Sequence, residues 1–334
     1  MAKVKAAQAD PTIEELRDGV FRICIEVPYE VGTVSIYLVD FPPLTLVDTG
    51  PLMPGLYDRI ISTIEGAGLD PVSLERLIVT HGHIDHHGLA RDFKDELGLE
   101  VWVQREDARR ISDFENFMKE TFGFYGRYMR RLGLPENLRA GLAAVSEGFT
   151  SLARSCPCDR QLAGGEVVEG ERHRARVWHC PGHTAGQIVL ALEGEGLLIT
   201  GDHLLPGITP NPEMYYPLRG GRVSGLADYI DSLGIIERLD ADLALPGHEE
   251  PFADPARRVR EIKEHHGLRA ERVVEIISAG AESVWDVTLE LFKEEIERGD
   301  ELQLFLALKE TIGHLEMLIE NGRIGKDILP GAGG

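Results

Sequence analysis

THGHIDHHG, residues 80–88, sets four histidines and an aspartate within nine positions. It continues LERLIVT (74–80), whose apolar, β-branched run reads as a buried strand, so the cluster begins where a strand ends. His81 and His83 are two apart. A bend at Gly82 would turn both imidazoles toward one ion, while Asp85 and His86 open a helix starting near Gly88. Isolated histidines are ordinary hydrogen-bonding residues, but four around an aspartate call for a ligand. So many donors from one turn do not fit comfortably around a single ion with further partners, and the spacing suggests two adjacent ions.

Three later apolar strands also end in a donor beside glycine. HCPGHTAG (179–186) supplies His183, LLITGDHLL (197–205) supplies Asp202, and LALPGHEEP (243–251) supplies His248. In open α/β architectures the strand ends gather at one edge, where ligand sites form. Five histidines and two aspartates therefore converge on one pocket. The strands expected between them are VFRICIEV, VSIYLVD, LTLVDTG, EVWVQ, ARVWHC and QIVLAL, with helices at GLYDRIISTIEGAG, GLARDFKDELG and LADYIDSLGIIERL.

Taken in order, these motifs resemble the metallo-β-lactamase superfamily over residues 20–250. H-x-H-x-D-H is carried by His81, His83, Asp85 and His86, the later motifs by His183, Asp202 and His248, and DTG by residues 48–50. The resemblance implies an α/β fold, a four-layer αββα sandwich with the site at one edge of two facing sheets. It also implies that His81, His83 and His183 hold one metal, that Asp85, His86 and His248 hold a second, and that Asp202 bridges them. Asp48 would orient the ligands from behind, as carboxylates do for metal-bound imidazoles. A shell of imidazoles and carboxylates suits two divalent ions, zinc first, with iron or manganese as alternatives. Such ions generate hydroxide near neutral pH, which makes hydrolysis the natural reaction, with Asp85 and Asp202 as the catalytic groups that orient the nucleophile or take its proton.

The catalytic domain is expected over residues 12–255, with a helical insertion at 105–160. That insertion holds FENFMKETFGFYGRYMRRLG and ENLRAGLAAVSEGFTSLA, and its aromatics suit a lid over the pocket or a homodimer contact. Residues 256–328 read as helical throughout and resemble the small winged-helix-like domain appended to a subgroup of lactamase-like hydrolases, some acting on thioesters and others on RNA. Tyr215 and Tyr216 could present a phenol to a developing oxyanion, although packing in a Pro-rich loop is the simpler reading. His179 and His203 sit beside donors but point away along their strands, and His87 has no assigned role. The cysteines, Cys24, Cys156, Cys158 and Cys180, are too few and scattered for a disulfide framework.

The chain of 334 residues has a formal net charge of −21, which repels phosphate backbones and disfavours nucleic acid as a partner. Arg127, Arg130 and Arg131 form the main basic stretch, most simply a solvated helix face. No apolar run approaches the roughly 20 residues that cross a bilayer, and MAKVKAAQADPTIEEL lacks a secretory apolar segment. The expectation is a cytoplasmic, metal-dependent hydrolase acting on a small-molecule carboxylic ester, thioester or lactone. A lactamase-like endoribonuclease and a mononuclear iron oxidoreductase of the persulfide-dioxygenase kind are the competing readings.

Overall fold

Short, mostly β-branched strands joined by tight turns build the first sheet in simple chain order. In the computed structural model, which describes residues 9–28, 31–40, 43–136, 139, 150–170, 172–297 and 301–330, these strands are β1 (Thr12–Arg17), β2 (Val20–Glu26), β3 (Thr33–Val39), β4 (Leu44–Val47), β5 (Leu74–Val79), β6 (Glu100–Gln104) and β7 (Arg160–Leu162). The first four run antiparallel and the last four parallel.

A second sheet contains β8 (Val167–Glu169), β9 (Arg174–His179), β10 (Ile188–Leu192), β11 (Leu197–Gly201), β14 (Leu243–Pro246) and β15 (Phe252–Ala253), in the order β15-β14-β11-β10-β9-β8. A separate hairpin, β12 (Met214–Arg219) and β13 (Arg222–Ser224), precedes β14 in the chain.

Two facing apolar surfaces hold the sheets together. Tyr37, Val47 and Ile78 of the first pack with Val177, Leu190, Ile199 and Leu245 of the second. Helix α1 (Leu56–Gly66) and, after the one-turn α2 (Ile84–His87), helix α3 (Ala90–Leu97) cover the outer face of the first sheet with Ile60, Ile64 and Phe93. On the far side α6 (Leu226–Ile236) and α7 (Pro255–Ser278) place Tyr229, Leu233, Val259 and Ile262 over Val189 and Leu198. Each such buried side chain stabilises the fold by about 1.5–3 kcal/mol relative to exposure. The expected αββα sandwich is the observed one.

The insertion contains α4 (Ala108–Ser112) and α5 (Phe114–Arg131), the latter burying Phe114, Phe117, Met118, Thr121, Tyr128 and Met129 along one stripe. The helix expected in ENLRAGLAAVSEGFTSLA lies largely outside the described residues.

Asp254 caps α7 by accepting the Arg257 amide, with Pro255 in the first turn, where its missing N–H is harmless. The far half of α7, with Ala270, Val273 and Ile276, packs against α8 (Val284–Leu291) and α10 (Glu301–Glu320) through Val287, Leu308, Ile312 and Leu315. The helical run SVWDVTLELFKEEIE breaks at Phe292 (φ −122°, ψ 33°) into α8 and α9 (Lys293–Glu297). Among the described residues no helix is long and apolar enough to cross a membrane.

Candidate metal centre

The loops following β4, β5, β11 and β14 meet at one edge of the sandwich, carrying Asp48, the 80–87 turn, Asp202 and His248. The helix at the histidine motif starts earlier than expected. α2 spans Ile84–His87 with His83 as its extended N-cap residue, so Asp85 and His86 lie inside one turn and join one group of donors while His83 joins the other.

The seven side chains fall into two groups. One donor atom from each of His81, His83, His183 and Asp202 lies within 4.8 Å of the others, and Asp85, His86 and His248 form a second such set. Asp202 reaches both: Oδ2 is 3.6 Å from His183 Nε2 and 3.1 Å from His248 Nε2, while Oδ1 is 3.3 Å from His86 Nε2.

Hydrogen bonds on the far side of the rings fix which nitrogen faces inward. Nδ1 of His81 donates to Thr80 Oγ1, Nδ1 of His183 to the Asn211 carbonyl, Nδ1 of His86 to Asp48 Oδ2, and Nδ1 of His248 to the Thr33 carbonyl. Each of these Nε2 atoms therefore faces the other donors, and it offers them a lone pair wherever the ring is neutral.

Three ring nitrogens crowd together, and a single proton on His83 can satisfy only one of the two that face it. Nδ1 of His83 is 3.0 Å from Nε2 of His81 and 2.9 Å from Nε2 of His183. Burial holds all three rings neutral, His81 and His83 far below the usual value and His183 down to about 4. Neighbouring donors of a tetrahedral zinc site are about 3.3 Å apart. In the second set burial also disfavours charge, but Asp202 and its neighbours outweigh it, raising His86 well above the usual range and His248 to about 10. His86 Nε2 and Asp202 Oδ1 are buried without a hydrogen-bond partner. Convergent ring nitrogens, orphaned buried polar atoms and the two carboxylates of Asp85 and Asp202 fit a pair of divalent cations.

Asp48, at φ 63°, accepts the Thr80 amide on Oδ1 and both the Thr80 hydroxyl and His86 on Oδ2. The orienting role expected of it is what its contacts provide. Asp107 was missed. Its Oδ2 accepts the Gly82 amide and the Thr184 hydroxyl at 2.7 Å each, and its Oδ1 accepts the Gly186 amide at 2.9 Å, which ties the two histidine loops together. Its position just past β6 matches that of the other donors at strand ends and was the available signal.

Gly82 serves by its size rather than by a left-handed bend: its φ is not positive, and a Cβ there would come within 2.6 Å of Arg110 Cδ. Gly247 is more constrained still, since a Cβ would lie 2.3 Å from Asp202 Oδ1 and 2.6 Å from His86 Cε1.

A cavity of about 410 Å³ opens onto His83, Asp85, Asp202 and His248. Met118, Phe122 and Tyr125 of α5 form one apolar wall, and Leu302, Phe305 and Leu306 of α10 another. Arg110, Arg139, Glu213 and Lys309 also line it. Arg110 pairs with Glu213, and Lys309 is pushed down by burial to about 8.

The tyrosines considered for an oxyanion are engaged elsewhere, in keeping with the simpler reading: Tyr215 donates to Asp228 Oδ2 and Tyr216 to Glu120 Oε2. Nε2 of His179 donates to the Ala185 carbonyl, His203 packs edge-on to Tyr229, and His87 packs against Phe114. All four cysteines are free, and burial pushes the Cys156 and Cys158 thiols up to about 11 and 12, away from thiolate chemistry.

Residues 29–248 match the Metallo-beta-lactamase superfamily, and the chain belongs to that family. With the His/Asp cluster, this makes it a metal-dependent hydrolase that uses a metal-activated water. It is 29% identical over 306 residues to the probable metallo-hydrolase YqjP of Bacillus subtilis, covering 90% of this chain and 92% of the relative. The crystal structure of the metallo-beta-lactamase family protein TTHA1429 from Thermus thermophilus superimposes with a TM-score of 0.78 at 29% identity, covering 93% of this chain and 96% of that one. The hydroxyacylglutathione hydrolase GloC of Haemophilus influenzae is 29% identical over 163 residues, 48% of this chain and 61% of the relative.

Proposed function

We propose that the protein hydrolyses a thioester or a related ester or lactone carrying an apolar acyl group, with two zinc ions held by His81, His83, His183, Asp85, His86 and His248 and bridged by Asp202. The observation that carries this reading is the apolar cavity between α5 and α10, which ends directly at Asp85, Asp202 and His248. An acyl chain in that cavity sets its carbonyl against the polar end, and water is excluded along the walls. The likeness to a hydrolase of hydroxyacylglutathione, an acyl group borne on a thiol, points the same way.

When bound, the two ions supply a water of lowered pKa and polarise the carbonyl oxygen. Asp85 and Asp202 orient the attacking water and pass its proton toward the leaving group. Lys309 and Arg110 give the cavity a positive side that holds an anionic part of the substrate away from the carboxylates. In this reading helix α5 of the insertion serves as a lid, and the winged-helix-like C-terminal segment caps the pocket with α10 rather than contacting nucleic acid. The acidic balance accords with a cytoplasmic small-molecule enzyme.

The test is metal analysis joined to a panel of acyl thioesters of increasing chain length. About 0.8 kcal/mol per buried methylene makes kcat/KM rise about fourfold per added carbon until the cavity is full. Activity should vanish in His86→Ala and Asp202→Ala. One iron per chain with oxygen consumption, or cleavage of RNA without cleavage of esters, would replace this reading by the oxidoreductase or the nuclease.

A further inference from the structure

A second set of metal-ligand side chains lies between α7 and α10. His265 and His266 on α7 meet Glu310 and His314 on α10, and one donor atom from each of His265, His266 and Glu310 lies within 4.8 Å of the others. Nδ1 of His266 is 3.4 Å from Nε2 of His314, which is 3.7 Å from Glu310 Oε1. That oxygen is in turn 4.0 Å from His265 Nε2. Donors around one tetrahedral ion stand about 3.3 Å apart, so His265, His266 and Glu310 are within small side-chain shifts of one centre, and His314, beside His266 and Glu310 but outside that mutual set, would swing in as the fourth.

Several of their polar atoms are left without a well-formed hydrogen bond. Oε1 of Glu310, Nε2 of His266 and Nδ1 of His314 are buried without a hydrogen-bond partner, and the carboxylate makes only longer ion-pair contacts with its neighbours. Arg269 is the competing cation. Its Nε stands 3.4 Å from Oε1, longer than the 2.7–2.9 Å of a charge-assisted hydrogen bond, and its guanidinium lies over the Phe292 ring at 4.6 Å. A buried carboxylate oxygen without a close donor is costly, and among the described residues no other group satisfies it.

We propose that His265, His266, Glu310 and His314 form a divalent-cation site, distinct from the catalytic centre, that clamps α10 onto α7. Three imidazoles and one carboxylate favour a borderline ion such as Zn²⁺ or Ni²⁺ over Mg²⁺ or Ca²⁺. Because α10 also carries Phe305 and Lys309 of the cavity wall, occupancy of the site fixes the wall against which the substrate lies.

The experiment loads the full-length protein with Zn²⁺, removes free metal by gel filtration and counts zinc in the wild type, in His265→Ala and in Glu310→Gln. His265 is partly exposed and Gln keeps the shape of Glu, so folding is checked by circular dichroism and at least the first variant is expected to fold. The proposal requires about one zinc per chain fewer in the folded variants, with thioester hydrolysis still present. An equal zinc content in the wild type and both folded variants overturns it. The comparison reads a difference, so it stands whether the catalytic centre holds one ion or two.

Discussion

Oδ2 of Asp48 lies 2.8 Å from Nδ1 of His86 and accepts its proton in a hydrogen bond. The same oxygen accepts the Thr80 hydroxyl, whose oxygen in turn accepts from His81. One carboxylate thus stands behind a histidine of each group of donors. Asp48→Asn should keep the backbone, because asparagine tolerates the positive φ, but its single carbonyl oxygen cannot serve three donors. Metal affinity should fall about 10–100-fold, read by competition with a chromogenic chelator. Unchanged affinity would remove Asp48 from the support of the site.

Asp107 holds three donors that have nowhere else to turn. In Asp107→Ala the Gly82 amide, the Thr184 hydroxyl and the Gly186 amide lose their acceptor in a buried region. Each unsatisfied group costs about 1–3 kcal/mol, so the variant should unfold at a clearly lower denaturant concentration, with the slope of the transition retained. A midpoint like that of the wild type would mean that solvent replaces the carboxylate at no cost.

Gly247→Ala forces a methyl group into the space between Asp202 and His86. A displacement of about 1 Å at reacting groups costs on the order of 100-fold in rate, and the loss should appear in kcat rather than only in KM. The far-ultraviolet circular dichroism should match the wild type. Wild-type kcat in this variant would show that Asp202 has more freedom than its packing indicates.

Metal and proton compete for His248. In the metal-free chain Asp202 and Asp85 overcome the effect of burial and hold its value up to about 10. The folded value exceeds the unfolded one, so this contribution to stability is complete below about pH 6.5 and is lost as pH rises through about 10. Metal binding needs the neutral ring, so its stabilising effect runs the other way. The chelator-treated protein should melt at lower temperature as pH rises over that interval, while the increment given by added Zn²⁺ grows. Parallel trends in the two forms would contradict the assignment.

The sandwich was legible because its central strands are apolar and β-branched and its helices carry glycine stops. β1 escaped notice because TIEELR is an edge strand with mostly exposed positions and adjacent glutamates, which mask alternation. The hairpin of β12 and β13 was obscured by its proline and its arginines. At the site, strand-terminal histidines and aspartates next to glycine revealed the seven candidate donors. Asp107 was hidden because its role depends on two loops far apart in sequence, and Lys309 because it arrives from a helix outside the motif-bearing region. Tyr215 packs as the simpler reading of its Pro-rich loop had it, and proximity in sequence to a donor did not bring its hydroxyl to the site.

The 24-residue α7 begins on the outer face of the sandwich and ends among the C-terminal helices, without a break between them. Hinges are loops or element ends that absorb torsion, and here the junction is the middle of a helix. Removing the residues after Ser278 would strip Ala270, Val273 and Ile276 of their cover and take away one whole wall of the cavity. Selection on what the enzyme admits and selection on how well its tail folds therefore act on the same residues, so neither can drift without the other.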